Sequence, residues 1–90
     1  MSNQTFQDFI DHNAPLLDAR WQNANDGGDG EGWGCEDDTP RTAAARHSAA
    51  VLHEDTDGTV LATLGGRLYM ICDAGGPWAC QVATQEDLGL

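Results

Sequence analysis

The chain has 90 residues, with 15 Asp and Glu set against four Arg and no Lys, for a formal net charge of −11. That length makes one small domain, residues 1–90, with a modest core. The charge disfavours direct binding to nucleic acid or to an anionic membrane, since both require a basic footprint.

No apolar run is long enough to span a bilayer. The opening residues, MSNQTFQDF, lack the basic stretch followed by an apolar one that marks a signal peptide. A cytoplasmic protein is therefore expected, and the odd number of cysteines suits a reducing compartment better than a disulfide framework.

Residues 2–24 carry helical periodicity. Phe6, Phe9, Ile10, Leu16, Leu17 and Trp21 fall on one side of a helix, and all but Leu16 are expected in the core. Ser2 or Thr5 can cap the start. Pro15 removes a backbone donor and biases Ala14 toward an extended conformation, so the pattern predicts two short helices with Pro15 in the first turn of the second. Asn23, Asn25 and Gly27 end the pattern.

Residues 25–38, NDGGDGEGWGCEDD, read as a glycine-rich loop holding six carboxylates, one Trp and one Cys. A connection of that length in a small domain is either functional or disordered. Thr39 and Pro40 then read as an N-cap and first helical residue, predicting a short alanine-rich helix over 40–48.

From residue 50 to 84 the signals turn to strand. Asp57-Gly58, Gly65-Gly66 and Gly75-Gly76 each separate apolar runs and each suits a tight hairpin. The fold class expected is α+β, with N-terminal helices packed on a three- or four-stranded antiparallel meander.

Two-residue loops at Gly65-Gly66 and Gly75-Gly76 assign the faces. Val60, Ala62, Leu64, Tyr69, Ile71, Trp78, Cys80 and Val82 share one face, the bulkier, expected to cover the helices. Leu61, Leu68, Met70, Cys72, Ala79, Gln81 and Ala83 share the other, apolar enough to suggest a homodimer or partner contact. A slip of one residue at either turn exchanges these faces. The tail, TQEDLGL, is expected to fray.

Four kinds of chemistry can be weighed for the acidic loop. As a calcium loop it offers Asn25, Asp29, Gly30 and Glu36 at the right spacing, but Gly27 supplies no ligand at the third position and Gly32 no apolar side chain. As zinc ligands, Cys35, Cys72, Cys80, His12, His47 and His53 show no paired spacing, and Cys72 and Cys80 are expected on opposite sheet faces. As a nucleophile, Cys35 sits among Glu36, Asp37 and Asp38, which disfavour a thiolate. No metal, cofactor or catalytic residue is therefore assigned, and the chain is read as non-enzymatic.

The fourth is binding. Asp26, Asp29, Glu31, Glu36, Asp37 and Asp38, supplemented by Glu54, Asp55 and Asp57 at a neighbouring turn, can imitate part of a phosphate track. Trp33 would serve as an aromatic anchor; the alternative is a solvated acidic loop with Trp33 folded back on the core. In size, charge and α+β pattern the chain resembles the small acidic inhibitor proteins of phages and mobile elements, of the anti-CRISPR and DNA-mimic kind. The resemblance implies a protein that blocks the basic nucleic-acid-binding surface of a machine such as a CRISPR–Cas complex, within the host cytoplasm. The rival expectation is a halophile-adapted or accessory domain whose acidity serves solubility. A weak calcium-binding module stands third.

Overall fold

A computed structural model describes residues 3–84, 86 and 87, with the side chains of 3–7 and 9 outside the described set. The caps expected from Ser2 or Thr5, the core positions expected at Phe6 and Phe9, and most of the tail lie outside the described residues. The chain folds as α+β: helix α1 (Asn3–Asp26), strand β1 (Glu31–Gly32), helix α2 (Pro40–Arg46), then strands β2 (Ala50–Glu54), β3 (Val60–Leu64), β4 (Arg67–Asp73) and β5 (Pro77–Thr84). The five strands form one antiparallel sheet in the order β1-β5-β4-β3-β2. Four of them run as a meander, and the two-residue β1 closes the β5 edge.

Helix α1 is continuous through Pro15, where two short helices were expected. The proline is exposed, and the apolar residues on either side of it, Ile10 before and Leu17 and Trp21 after, join the same cluster against the sheet. Burial along both halves holds one axis and offsets the lost backbone hydrogen bond. The helix stops in a Schellman turn. Gly28 takes φ +79° and donates to the Asn25 carbonyl at 3.1 Å, while Asp29 N–H reaches the Ala24 carbonyl at 2.7 Å.

Helix α2 starts at Thr39, whose hydroxyl accepts from Thr42 N–H at 3.2 Å while the Thr42 hydroxyl accepts from Thr39 N–H at 2.9 Å. Two orphan donors are thereby satisfied reciprocally. It ends in a second Schellman turn, with Ala49 N–H on Ala44 O at 2.9 Å and Ser48 N–H on Ala45 O at 3.0 Å. Here the left-handed residue is Ser48, at φ 60°. A Cβ in that region costs about 1 kcal/mol or more. Ser48→Gly is accordingly expected to raise stability by about 0.5–1 kcal/mol, read as an upward shift of the urea midpoint at unchanged slope.

The Gly65-Gly66 turn gives the predicted register, with Leu64 opposite Arg67, Ala62 opposite Tyr69 and Val60 opposite Ile71. Both glycines have positive φ, as a two-residue hairpin of the right twist requires. The next turn corrects the expectation. Asp73 pairs with Pro77 rather than Trp78, so the loop holds Ala74, Gly75 and Gly76. Asp73 Oδ1 accepts from Gly76 N–H at 3.2 Å and Ala74 N–H reaches Gly76 O at 2.8 Å, which draws Ala74 into the turn.

That one-residue slip moves Trp78 and Cys80 to the other face. A bulge follows, where Tyr69 pairs with Gln81 and Leu68 with Ala83, leaving Val82 extra.

The slip decides which face each helix covers. Leu61, Leu68, Met70, Val82 and Ala83 pack with Ile10 and Leu17 of α1, flanked by Trp21 and Cys72. This face, expected to be free for a dimer or partner contact, lies under α1. The other face, with Val60, Ala62, Ile71 and Ala79, packs against Trp33 and against Ala43 and Ala44 of α2. The face expected to cover the N-terminal helix, with Val60, Ala62 and Ile71, takes Trp33 and α2 instead, and the face with Leu61, Leu68 and Met70 takes α1. Trp78 and Cys80 join that α1 face through the slip.

Candidate interaction surface

Residues 25–38 are not one loop. Asn25 and Asp26 finish α1, Glu31 and Gly32 pair with Ala79 and Trp78 as β1, and Trp33 folds back into the core. The calcium spacing therefore does not form a wrapping loop, because its first residue is helical and its centre is strand. Trp33 is 3% exposed. Its ring stacks on His47 with centroids 4.4 Å apart and leans on Tyr69 at 4.9 Å. Its Nε1–H donates to Glu31 Oε1 at 3.0 Å, and His47 Nε2 donates to its carbonyl at 3.1 Å. Trp33 is a core residue here, not an aromatic anchor held out to a partner.

The carboxylates separate into groups. Asp38 is largely tied down: Oδ2 accepts from Cys35 N–H at 2.8 Å and Oδ1 meets Arg46 at 3.0 Å. Glu36 and Asp37 are exposed on the same turn and have no side-chain partner among the described residues. Asp26 and Asp29, also exposed, flank the end of α1. Asp29 shares a concavity of about 360 Å³ with Arg20, Asn23, Gln81 and Asp87. In that concavity Arg20 donates to Val82 O at 2.9 Å and pairs with Asp87 at 3.2 Å. Thr84 N–H first, then Arg20, holds the Asp87 carboxyl below the usual range.

Glu54, Asp55 and Asp57 stand at the other side of the sheet from Glu31 in β1. They lie at the end of β2, and the strand order places β2 and β1 on opposite edges, about 19 Å apart at ~4.8 Å per strand. Glu54 pairs with Arg41 at 2.8 Å, and Asp55 meets His53 Nε2 at 2.9 Å. Thr59 N–H donates to Asp57 Oδ1 at 3.0 Å and, with the Thr59 hydroxyl, holds the Asp57 carboxyl below its ordinary value. A depressed carboxyl stabilises the folded turn above the ordinary Asp range, and that contribution is lost as pH falls through the lowered value.

The sequence gives no signal for the residue that joins this second group. Asp18 of α1 meets Asp55 and Asp57 across a concavity of about 330 Å³, also lined by Trp21, Gln22, Thr59, Met70 and Cys72. Only the folding of α1 onto this face brings Asp18 there, from 37 residues away in the chain. Burial chiefly, with the charges of Asp57 and Asp18 adding to it, raises the Cys72 thiol pKa. The Cys80 thiol is raised for the first of those reasons. Both thiols are held in the protonated, unreactive form. They share the α1 face, contrary to the expectation of opposite faces, because of the slip at Gly75-Gly76. Among the described residues no three His, Cys, Asp or Glu side chains are placed to hold a metal ion, and no helix is long and apolar enough to cross a membrane.

Gly30 fixes how the acidic segment enters the sheet edge. A Cβ there would overlap the Trp78 indole and the Cys80 sulfur. Gly30→Ala is expected to cost about 1–3 kcal/mol and to change the indole fluorescence. An unchanged melt would mean the segment does not lie on Trp78.

Comparison with family models, curated proteins and solved structures gives no match. The class defined by the geometry is an α+β domain, with two helices and five strands among the described residues and strongly acidic surface groups.

Proposed function

We propose that this chain is a non-enzymatic inhibitor or interaction protein that sets its acidic surface against a basic, nucleic-acid-binding partner, such as a CRISPR–Cas complex. One observation carries the reading. Three of the four arginines are paired within the chain, to Asp38, Glu54 and Asp87. Asp18, Asp26, Asp29, Glu36 and Asp37 stay exposed with no such pair among the described residues. The negative charge is carried on helix ends, a capped turn and a hairpin rather than on a floppy loop, so docking costs less ordering entropy. A concentration of one sign steers a basic surface and weakens with salt.

The test is competition: nucleic-acid binding by candidate machines is measured with increasing amounts of this protein, at several salt concentrations. Inhibition that fades as salt rises is expected. Glu36→Gln with Asp37→Asn should weaken it by about 0.2–1 kcal/mol per exposed charge. Undiminished nucleic-acid binding across the machines tried would count against the proposal. Strong stabilisation of the fold itself by molar salt would instead favour acidity that serves solubility.

A further inference from the structure

We infer that β2 is a docking edge: an extended basic segment of the partner adds beside it as a further strand, its cationic side chains beside Asp55, Asp57 and Asp18. The inference rests on the proposed acidic-to-basic mode of binding and names where and how it happens.

The two edges of the sheet differ. The β5 edge is closed by β1, where Trp33 N–H also reaches Pro77 O at 3.0 Å. Strand β2 pairs only with β3 among the described residues, so its outer backbone edge has no strand beside it. An unpaired edge is a template for another strand. Ala50–Glu54 carries neither Lys nor Pro to blunt it. Of three large apolar residues that are exposed among the described residues, Leu16, Val51 and Leu52, two sit on this strand at 38% and 37%. The register shift between Val51 and His53 leaves Leu52 without a partner in β3.

Charge selects the occupant. A second copy would bring another −11 to the same edge, with the residues that follow Glu54 adding like charges to the junction. A basic strand meets the opposite sign. Where β2 ends, the 330 Å³ concavity is lined by apolar Trp21, Met70 and Cys72 together with Asp18, Asp55 and Asp57. That combination fits a Lys or Arg side chain, whose stem is apolar and whose head is cationic. Backbone pairing along β2 supplies affinity, and the carboxylates select the sign.

The probe is the peptide acetyl-Val-Lys-Val-Arg-Val-Lys-amide, titrated into the nitrogen-15-labelled full chain, with an all-Glu counterpart and a backbone N-methylated version as controls. Amide shifts and slowed hydrogen exchange are expected at Val51, Leu52, His53 and Glu54. Binding should be lost with the N-methylated and acidic peptides. It should weaken several-fold in Asp55→Asn with Asp57→Asn, where the new amide oxygen at position 57 can still accept from Thr59 N–H and circular dichroism checks that the fold is kept.

Shifts at the carboxylates with no protection along β2 would overturn strand addition and leave acidic docking standing. Protection of β2 without peptide, together with a dimer in sedimentation, would make a second copy the occupant and overturn the inference. No response at β2 to the peptide, in a protein that still blocks a basic machine, would overturn it as well. Failure to block any machine sinks the broader proposal instead.

Discussion

Trp33→Ala is expected to destabilise the fold by about 3–5 kcal/mol, a large share of the ~5–15 kcal/mol that holds a domain of this kind together. The indole is the largest side chain in the cluster beneath α2. It packs with Ala43, Ala44, Val60, Ala62, Ile71 and Ala79. Its neighbours on that face are mostly small and cannot close over the cavity that truncation would leave. Removal also orphans Glu31 Oε1 and takes away the ring on which His47 stacks. Urea unfolding followed by circular dichroism reads the effect, and Trp33→Phe should recover part of it. A midpoint that does not move would place Trp33 at the surface and restore it as a partner anchor. Because the Ala variant loses stability, loss of partner binding in that variant says nothing about direct contact; the Phe variant separates the two.

Pro15→Ala is expected to act in the opposite direction, stabilising by about 2 kcal/mol. Proline costs about 3 kcal/mol relative to Ala in a helix interior. Up to about 1 kcal/mol of that is returned because Pro also restricts the unfolded chain. Pro15 is exposed in the middle of α1, so nothing packed against its ring is lost. Thermal and urea melts check the sign. Destabilisation would mean that a break at Pro15 is needed to seat Ile10 and Leu17 together on the sheet.

These two residues mark where local reasoning stops. Pro15 carries a strong local signal for a helix boundary, yet apolar side chains on both sides of it bury against one sheet face, and burial outweighs one lost hydrogen bond. Trp33 sits among glycines and carboxylates and reads as loop. Its destination depends on β1 pairing with β5, contacts more than forty residues apart in the chain. Where the signal is local, sequence and structure agree: Thr39 and Pro40 open α2, and Gly65-Gly66 turns β3 into β4 in the expected register.

The candidate surface follows the same division. The sequence by itself determined the sign and size of the charge, the α+β class and the shortage of basic residues, because these depend on composition and on short-range periodicity. Only the tertiary structure decided which carboxylates stand together. It set Glu54, Asp55 and Asp57 across the sheet from Glu31 in β1, and it brought Asp18 to Asp55 and Asp57. It also tied Asp38 to Arg46 and Glu54 to Arg41 through one short helix.

The physical reason lies in one turn. Asp73 captures the Gly76 amide, the hairpin takes in one more residue, and period-two alternation then sends every following side chain of β5 to the other face until the bulge at Val82. That exchange put Trp78 and Cys80 on the sheet face that α1 covers, the face expected to be free for a dimer or partner contact.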